Sequence, residues 1–322
     1  MKIDERSIKI WSTIGQRATV GMAALELVKE IDELIIVTCD VSTSAGLDRF
    51  RKTYPNKFID VGIAEQNMIG IAAGLASENF KVLTTTFAPF QTMRCLEQIK
   101  VNLGYMKQNV CMVGIASGLS LGALGYTHCC IEDIGVLRSI PGITIISPSD
   151  AFETVKAIEA SLKSMNPTYI RLTGTTNNPI INKVDYKFEI GKSIKLKDGD
   201  DITIFSCGSM VYESLEVAKR LEQKKIYTSV INMHTIKPID RKAIINAQKS
   251  KMIVTIEEHN IIGGLGSAVA EVKSTIKNYP KQIFFGIDDK YSKGGSYNFL
   301  KENYRLSTDI IVKDILNQLD HE

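Results

Sequence analysis

Apolar runs of four to eight residues recur along the chain and alternate with amphipathic segments, the pattern of parallel β-α-β layers. In the first half this predicts strands over 34–38, 57–61, 81–85, 110–115, 144–147 and 168–171, with helices in the gaps. The clearest helix is predicted over 64–78, where Gly-Ile-Ala-Ala-Gly-Leu-Ala supplies small residues for close packing. A polar, turn-rich passage from 173 to about 192 interrupts the pattern, and its last part, 181–192, reads as a linker. The second half restarts with strands predicted over 202–206, 227–232, 252–257 and 282–287. Its helices fall over 212–224, 241–249, 265–277 and 308–319. The expected fold class is α/β in two domains, 1–180 and 193–322, each a mostly parallel sheet flanked by helices.

Charge and cysteine usage remove several classes of function. The net charge of +3 comes from scattered Lys and Arg rather than a basic arm, so no nucleic-acid partner is expected. No apolar run approaches the roughly 20 residues of a membrane span, and the N-terminus lacks a signal core, so a cytoplasmic protein without membrane contact is expected. The six cysteines form no Cys-x-x-Cys pair and sit mostly inside apolar runs, which argues for reduced thiols and against a zinc site.

Three constellations carry candidate chemistry. In Phe58-Ile-Asp-Val-Gly-Ile-Ala-Glu-Gln-Asn67, Glu65 follows an apolar strand at the start of a helix. An isolated glutamate there is most simply an acid favoured by the helix dipole. In Thr84-Thr-Thr-Phe-Ala-Pro-Phe90, Phe87 and Phe90 follow a strand, at the end where open α/β sheets bind ligands, although two such rings often only fill a core. If that strand and the Glu65 strand are neighbours, the rings and the carboxylate face one crevice. The third is Gly118-Leu-Ser-Leu-Gly-Ala-Leu-Gly-Tyr-Thr-His128, a flexible, uncharged loop that ends in one of only four histidines. Gly263-Gly-Leu-Gly266 lacks the spacing of a phosphate loop and reads as a packing motif, and Glu257-Glu-His259 as a capping or subunit-contact cluster.

Together, Asp-Val-Gly-Ile-Ala-Glu-Gln-Asn (60–67), Thr-Phe-Ala-Pro-Phe (86–90), Gly-Tyr-Thr-His (125–128), Leu-Arg-Ser-Ile-Pro (137–141) and Ser-Pro-Ser-Asp (147–150) resemble the pyrimidine-binding domain of transketolases. Residues 231–240 and 257–266 resemble the transketolase C-terminal domain, so the resemblance covers essentially the whole chain. The Gly-Asp-Gly and downstream Asn that hold the diphosphate and its metal are not in this sequence. The resemblance therefore implies the C-terminal subunit of a split transketolase. It would transfer a two-carbon ketol unit from a ketose to an aldose and share thiamine diphosphate with an N-terminal partner subunit. That partner would hold the Mg or Ca ion, this chain would hold no metal, and the assembly would be a dimer or heterotetramer.

By the same resemblance, Glu65 hydrogen-bonds N1′ of the aminopyrimidine, Phe87 and Phe90 contact that ring, and His128 contacts the donor sugar. Burial in apolar surroundings would increase a carboxyl's hold on its proton, which suits the role given to Glu65. Met93 stands where the family often has a third aromatic. Three positions depart from the family pattern: Leu124 replaces a hydroxyl-reading aspartate, Ala116 a phosphate-binding histidine, and Gly174 a phosphate-binding arginine, with Arg171 close by. These changes suggest sugars unlike those of the pentose pathway, either unphosphorylated or attached to a larger carrier. The competing expectations are the β subunit of a 2-oxoacid dehydrogenase, a deoxyxylulose-phosphate synthase, and a non-catalytic scaffold of the same fold.

Overall fold

The computed structural model describes residues 4–320. The expected α/β architecture is present, with twelve strands among the described residues: β1 (Leu34–Thr38), β2 (Phe58–Asp60), β3 (Lys81–Phe87), β4 (Val110–Ile115), β5 (Thr144–Ile146), β6 (Thr168–Arg171), β7 (Ile194–Lys197), β8 (Ile202–Ser206), β9 (Thr228–Asn232), β10 (Thr235–Lys237), β11 (Met252–Asn260) and β12 (Lys281–Ile287). A seven-stranded sheet runs β10-β5-β6-β4-β3-β1-β2, and a five-stranded sheet runs β12-β11-β8-β9-β7. All pairings are parallel except β10 with β5 and β7 with β9. β1, β4, β6, β8 and β9 are buried along their whole length, as strands covered by helices on both faces must be, and they read as runs rich in apolar and β-branched residues for that reason.

Two strands escaped the sequence pattern. β7 and β10 are short edge strands, and β10 crosses from the second half of the chain into the first sheet, pairing Thr235 with Ile146 and Lys237 with Ile145. The helices of one face of each sheet share a continuous core as a result, in which Ile145 and Tyr169 of the first sheet belong with Phe205, Ile231 and Ile253 of the second.

The long first helix, Glu5–Leu27, covers the other face of the seven-stranded sheet with Ala151–Lys163. It breaks at Gly15, whose φ of 82° belongs to the left-handed region. A side chain there would also come within 2.9 Å of the Thr175 carbonyl oxygen. The break lets the helix dock on the polar passage after β6, where the Gln16 N–H donates to Asn178 Oδ1 at 2.9 Å and Ser12 Oγ donates to the Asn178 carbonyl.

All six cysteines are free and buried, and no described helix is long and apolar enough to cross a membrane. Burial pushes the Cys39, Cys95, Cys111 and Cys207 thiols up to about 12.

Candidate functional site

Glu65 opens the helix Glu65–Ser77, directly after β2 and the turn at Gly62. No side chain caps this helix, so the carboxylate itself sits in the first turn, where the helix dipole favours it. Its side chain is only 5% exposed. The surroundings are not purely apolar, contrary to the sequence-based expectation: Arg94 Nη1 donates to Glu65 Oε1 at 2.8 Å. The guanidinium carbon lies 3.9 Å from the centroid of the Phe90 ring.

The strand carrying Phe87 and the strand preceding Glu65 are not neighbours, because β1 lies between β3 and β2. The crevice forms nonetheless, because the chain after β3 turns back through the short helix Ala88–Gln91 and the turn Met93–Cys95. Gln66 Nε2 donates to the Arg94 carbonyl at 3.2 Å, tying this turn to the start of the Glu65 helix.

Phe87, Phe90 and His128 form one cluster of rings. Phe87 meets Phe90 edge-on at 6.4 Å between centroids, and His128 meets Phe90 at 5.4 Å and Phe87 at 6.2 Å, both edge-on. His128 Nδ1 lies 3.0 Å from Thr127 Oγ1. Met93, 39% exposed, opens the turn Met93–Cys95 that carries Arg94. The structure thus gathers Glu65, Phe87, Phe90 and His128 around one crevice, with Arg94, which no sequence pattern singled out, between the carboxylate and the rings.

The loop carrying His128 is tethered, although its composition suggests flexibility. Gly118 and Cys130 exchange backbone hydrogen bonds at 2.8 and 3.0 Å across its base. The Leu119 N–H donates to Glu258 Oε1 of β11 at 2.7 Å, and Ser209 Oγ and Tyr297 Oη donate to the other oxygen of that carboxylate. Gly118 has a φ of 65°, and a Cβ there would come within 2.2 Å of Glu258 Oε1, so only glycine fits. Farther along, Tyr126 Oη bonds to Ser292 Oγ at 3.0 Å and to Tyr304 Oη, and the Gly295 N–H donates to the Gly122 carbonyl at 2.9 Å. The second half of the chain thus holds the loop in place.

Glu257, beside Glu258, is a cap. Its carboxylate accepts the N–H groups of Leu265 and Gly266 at 2.6 and 2.7 Å, at the start of the helix Leu265–Lys273. Complete burial nevertheless pushes its carboxyl up to about 7. Gly263 packs against the Gly135 backbone, where a Cβ would come within 2.9 Å, which accounts for that glycine run without a phosphate.

Arg171 is not available to a substrate. It is 1% exposed and donates from Nε to both oxygens of Asp133 at 2.9 Å and from Nη2 to the carbonyls of Cys130 and Glu258. A cavity of about 270 Å³ lies close by, lined by Ala116, Ser120, Gly174 and Thr175, and by Arg17 from the first helix. Two positions that depart from the family pattern, Ala116 and Gly174, therefore face the same space, and a cation borders it.

Among known protein families, the transketolase pyrimidine-binding domain matches residues 12–177 and the transketolase C-terminal domain matches residues 191–288. The chain is 36% identical over 310 residues to a putative transketolase C-terminal section of Methanocaldococcus jannaschii, covering 96% of this chain and 97% of that one. It is 37% identical over 305 residues to one subunit of an apulose-4-phosphate transketolase of Phocaeicola vulgatus, covering 94% and 97%. A solved structure described as a split gene transketolase, inactive β4 tetramer, superposes with a TM-score of 0.85 at 35% identity, covering 94% of this chain and 97% of that chain. The crevice of Glu65, Phe87, Phe90 and His128 accordingly lies in a chain that belongs to the transketolase family of transferases and corresponds to the C-terminal section of a split transketolase.

Proposed function

We propose that this chain holds the aminopyrimidine end of thiamine diphosphate in a transketolase that is completed by an N-terminal partner subunit. The observation that carries this reading is a carboxylate buried to 5% exposure beside edge-packed aromatic rings, whose cationic partner is 44% exposed. Such a place suits a flat, partly polar heterocycle. Bound there, thiamine diphosphate would supply the carbanion stabilisation that ketol transfer requires. Glu65 would share a proton with N1′ of the ring, Phe87 and Phe90 would hold its faces and edge, and Met93 would close the rim. His128, perpendicular to Phe90, would bind the donor sugar.

The diphosphate and its Mg or Ca ion belong to the partner. The exposed face of the Glu65 helix supports an assembly with the site at the interface between two chains. A Cβ added at Gly70 or Gly74 would meet nothing within 4 Å, and Ile63, just before the helix, is 77% exposed. We take 1–180 as the pyrimidine-binding domain, 181–192 as the linker and 193–322 as the C-terminal domain, working in a dimer or heterotetramer. Six free thiols suit the reducing cytoplasm.

The sugar is best sought among anionic ones. Ala116, Leu124 and Gly174 stand where the family has groups that read pentose phosphates, yet Arg17 keeps a cation beside the cavity that Ala116 and Gly174 line. An acid substituent placed differently from that of the pentose phosphates satisfies both facts, and refines the expectation of an unphosphorylated sugar. The direct test is titration of thiamine diphosphate with Mg into the chain alone and into the chain mixed with a partner carrying Gly-Asp-Gly. Tight binding only in the mixture is expected. Equal binding by the chain alone, or none in the mixture, would overturn the reading.

A further inference from the structure

We infer that Arg94 is an internal competitor of the cofactor's pyrimidine, holding the carboxylate and the ring that the pyrimidine would use and so setting cofactor affinity. This inference rests on the functional reading above. A guanidinium is flat, donates hydrogen bonds in its own plane and stacks on aromatic faces. Arg94 uses all three properties here. Its Nη1 donates to Glu65 Oε1 at 2.8 Å while its carbon sits 3.9 Å from the Phe90 centroid. Those are the two contacts, a donor to the carboxylate and a flat face on the ring, that the aminopyrimidine would make. The two would compete where the ring seeks the Oε1 atom that Arg94 already holds, because Glu65 is almost fully enclosed and cannot swing clear of the guanidinium.

The two ends of the pair differ in freedom. The Arg94 side chain is 44% exposed, so the guanidinium can withdraw into water, where a cation is well solvated. Its backbone stays in place through the bond from Gln66 Nε2, so the exchange requires only side-chain rotation. The guanidinium keeps a buried carboxylate from standing unpaired, a state that would destabilise the chain. Arg94 is thus a positioning residue that holds the Glu65 side chain in place until the ring arrives.

The test measures thiamine diphosphate affinity, by intrinsic fluorescence or calorimetry, in the complex with the N-terminal partner. Arg94→Met removes the competitor and is expected to tighten binding about tenfold, as removal of a dominant closed state does, while lowering the melting temperature of the cofactor-free chain. The double variant Glu65→Gln with Arg94→Met should recover part of that melting temperature, and Arg94→Lys should bind between wild type and Arg94→Met. Unchanged or weaker cofactor binding by Arg94→Met, with wild type binding normally, would overturn the inference alone. Absence of binding by both complexes would overturn the functional reading and this inference with it.

Discussion

Glu258 on β11 accepts the Leu119 N–H at 2.7 Å, so a carboxylate of the second half of the chain fixes the loop that ends at His128 in the first half. The same carboxylate takes hydrogen bonds from Ser209 and Tyr297 and is 2% exposed. Glu258→Ala would strand three buried donors, at about 3 kcal/mol of stability. Equilibrium urea unfolding checks the stability. Steady-state kinetics of the complex should also show a raised KM for the donor sugar, since the loop would no longer hold His128 in place.

Stability should depend on pH through Glu257. Its carboxyl is raised from 4.5 to about 7 in the folded chain, so its contribution is fully present below about 4.5 and is lost as pH rises through 7. His259 works in the opposite direction: burial lowers it from 6.5 to about 4, so its contribution is lost as pH falls through 4. The two partly cancel in the wild type. Comparing wild type with Glu257→Gln isolates the first, and Gln should gain on Glu by about 3 kcal/mol between pH 4.5 and 8, at roughly 1.4 kcal/mol per pH unit. Denaturant unfolding at both pH values reads the difference, and a constant difference would contradict the assignment.

Arg17 borders the cavity that Ala116 and Gly174 open. Arg17→Leu in the complex should raise KM for an anionic sugar about tenfold with little change in kcat, as loss of a ground-state contact does. KM for an uncharged sugar should stay put. Parallel kinetics with a phosphorylated and a neutral substrate make the comparison.

Gly70 lies on the outer face of the Glu65 helix with open space beyond its Cα. Gly70→Glu should leave the isolated chain as stable or slightly more so, by up to about 1 kcal/mol from helix propensity. A charge on that face should weaken association of the chain with itself or its partner, read by analytical ultracentrifugation.

Much of this was legible in the sequence, for identifiable reasons. β1, β4, β6, β8 and β9 are buried on both faces, so apolar and β-branched residues dominate them and the runs stand out. β7 and β10 are edge strands of three or four residues, and their partners lie in distant or antiparallel positions, so no local pattern marks them. The ring cluster was readable because Phe87 and Phe90 follow a strand and His128 ends a glycine-rich loop. Arg94 was not, because its ion pair reaches back 29 residues to Glu65 from an irregular turn in which exposed and buried positions follow no period. Glu258 was hidden for a related reason: an acid inside a strand looks like a surface residue until the buried loop that it holds is known.

The measurement closest to the central claim is turnover of the reconstituted complex with Glu65→Gln. Glutamine keeps the shape of the side chain and removes its ability to take up a proton. The expected result is a loss of thiamine-diphosphate-dependent ketol transfer of roughly 10²-fold or more, with the variant still folded and still joined to its partner. Turnover equal to that of the wild type would contradict the role given to Glu65.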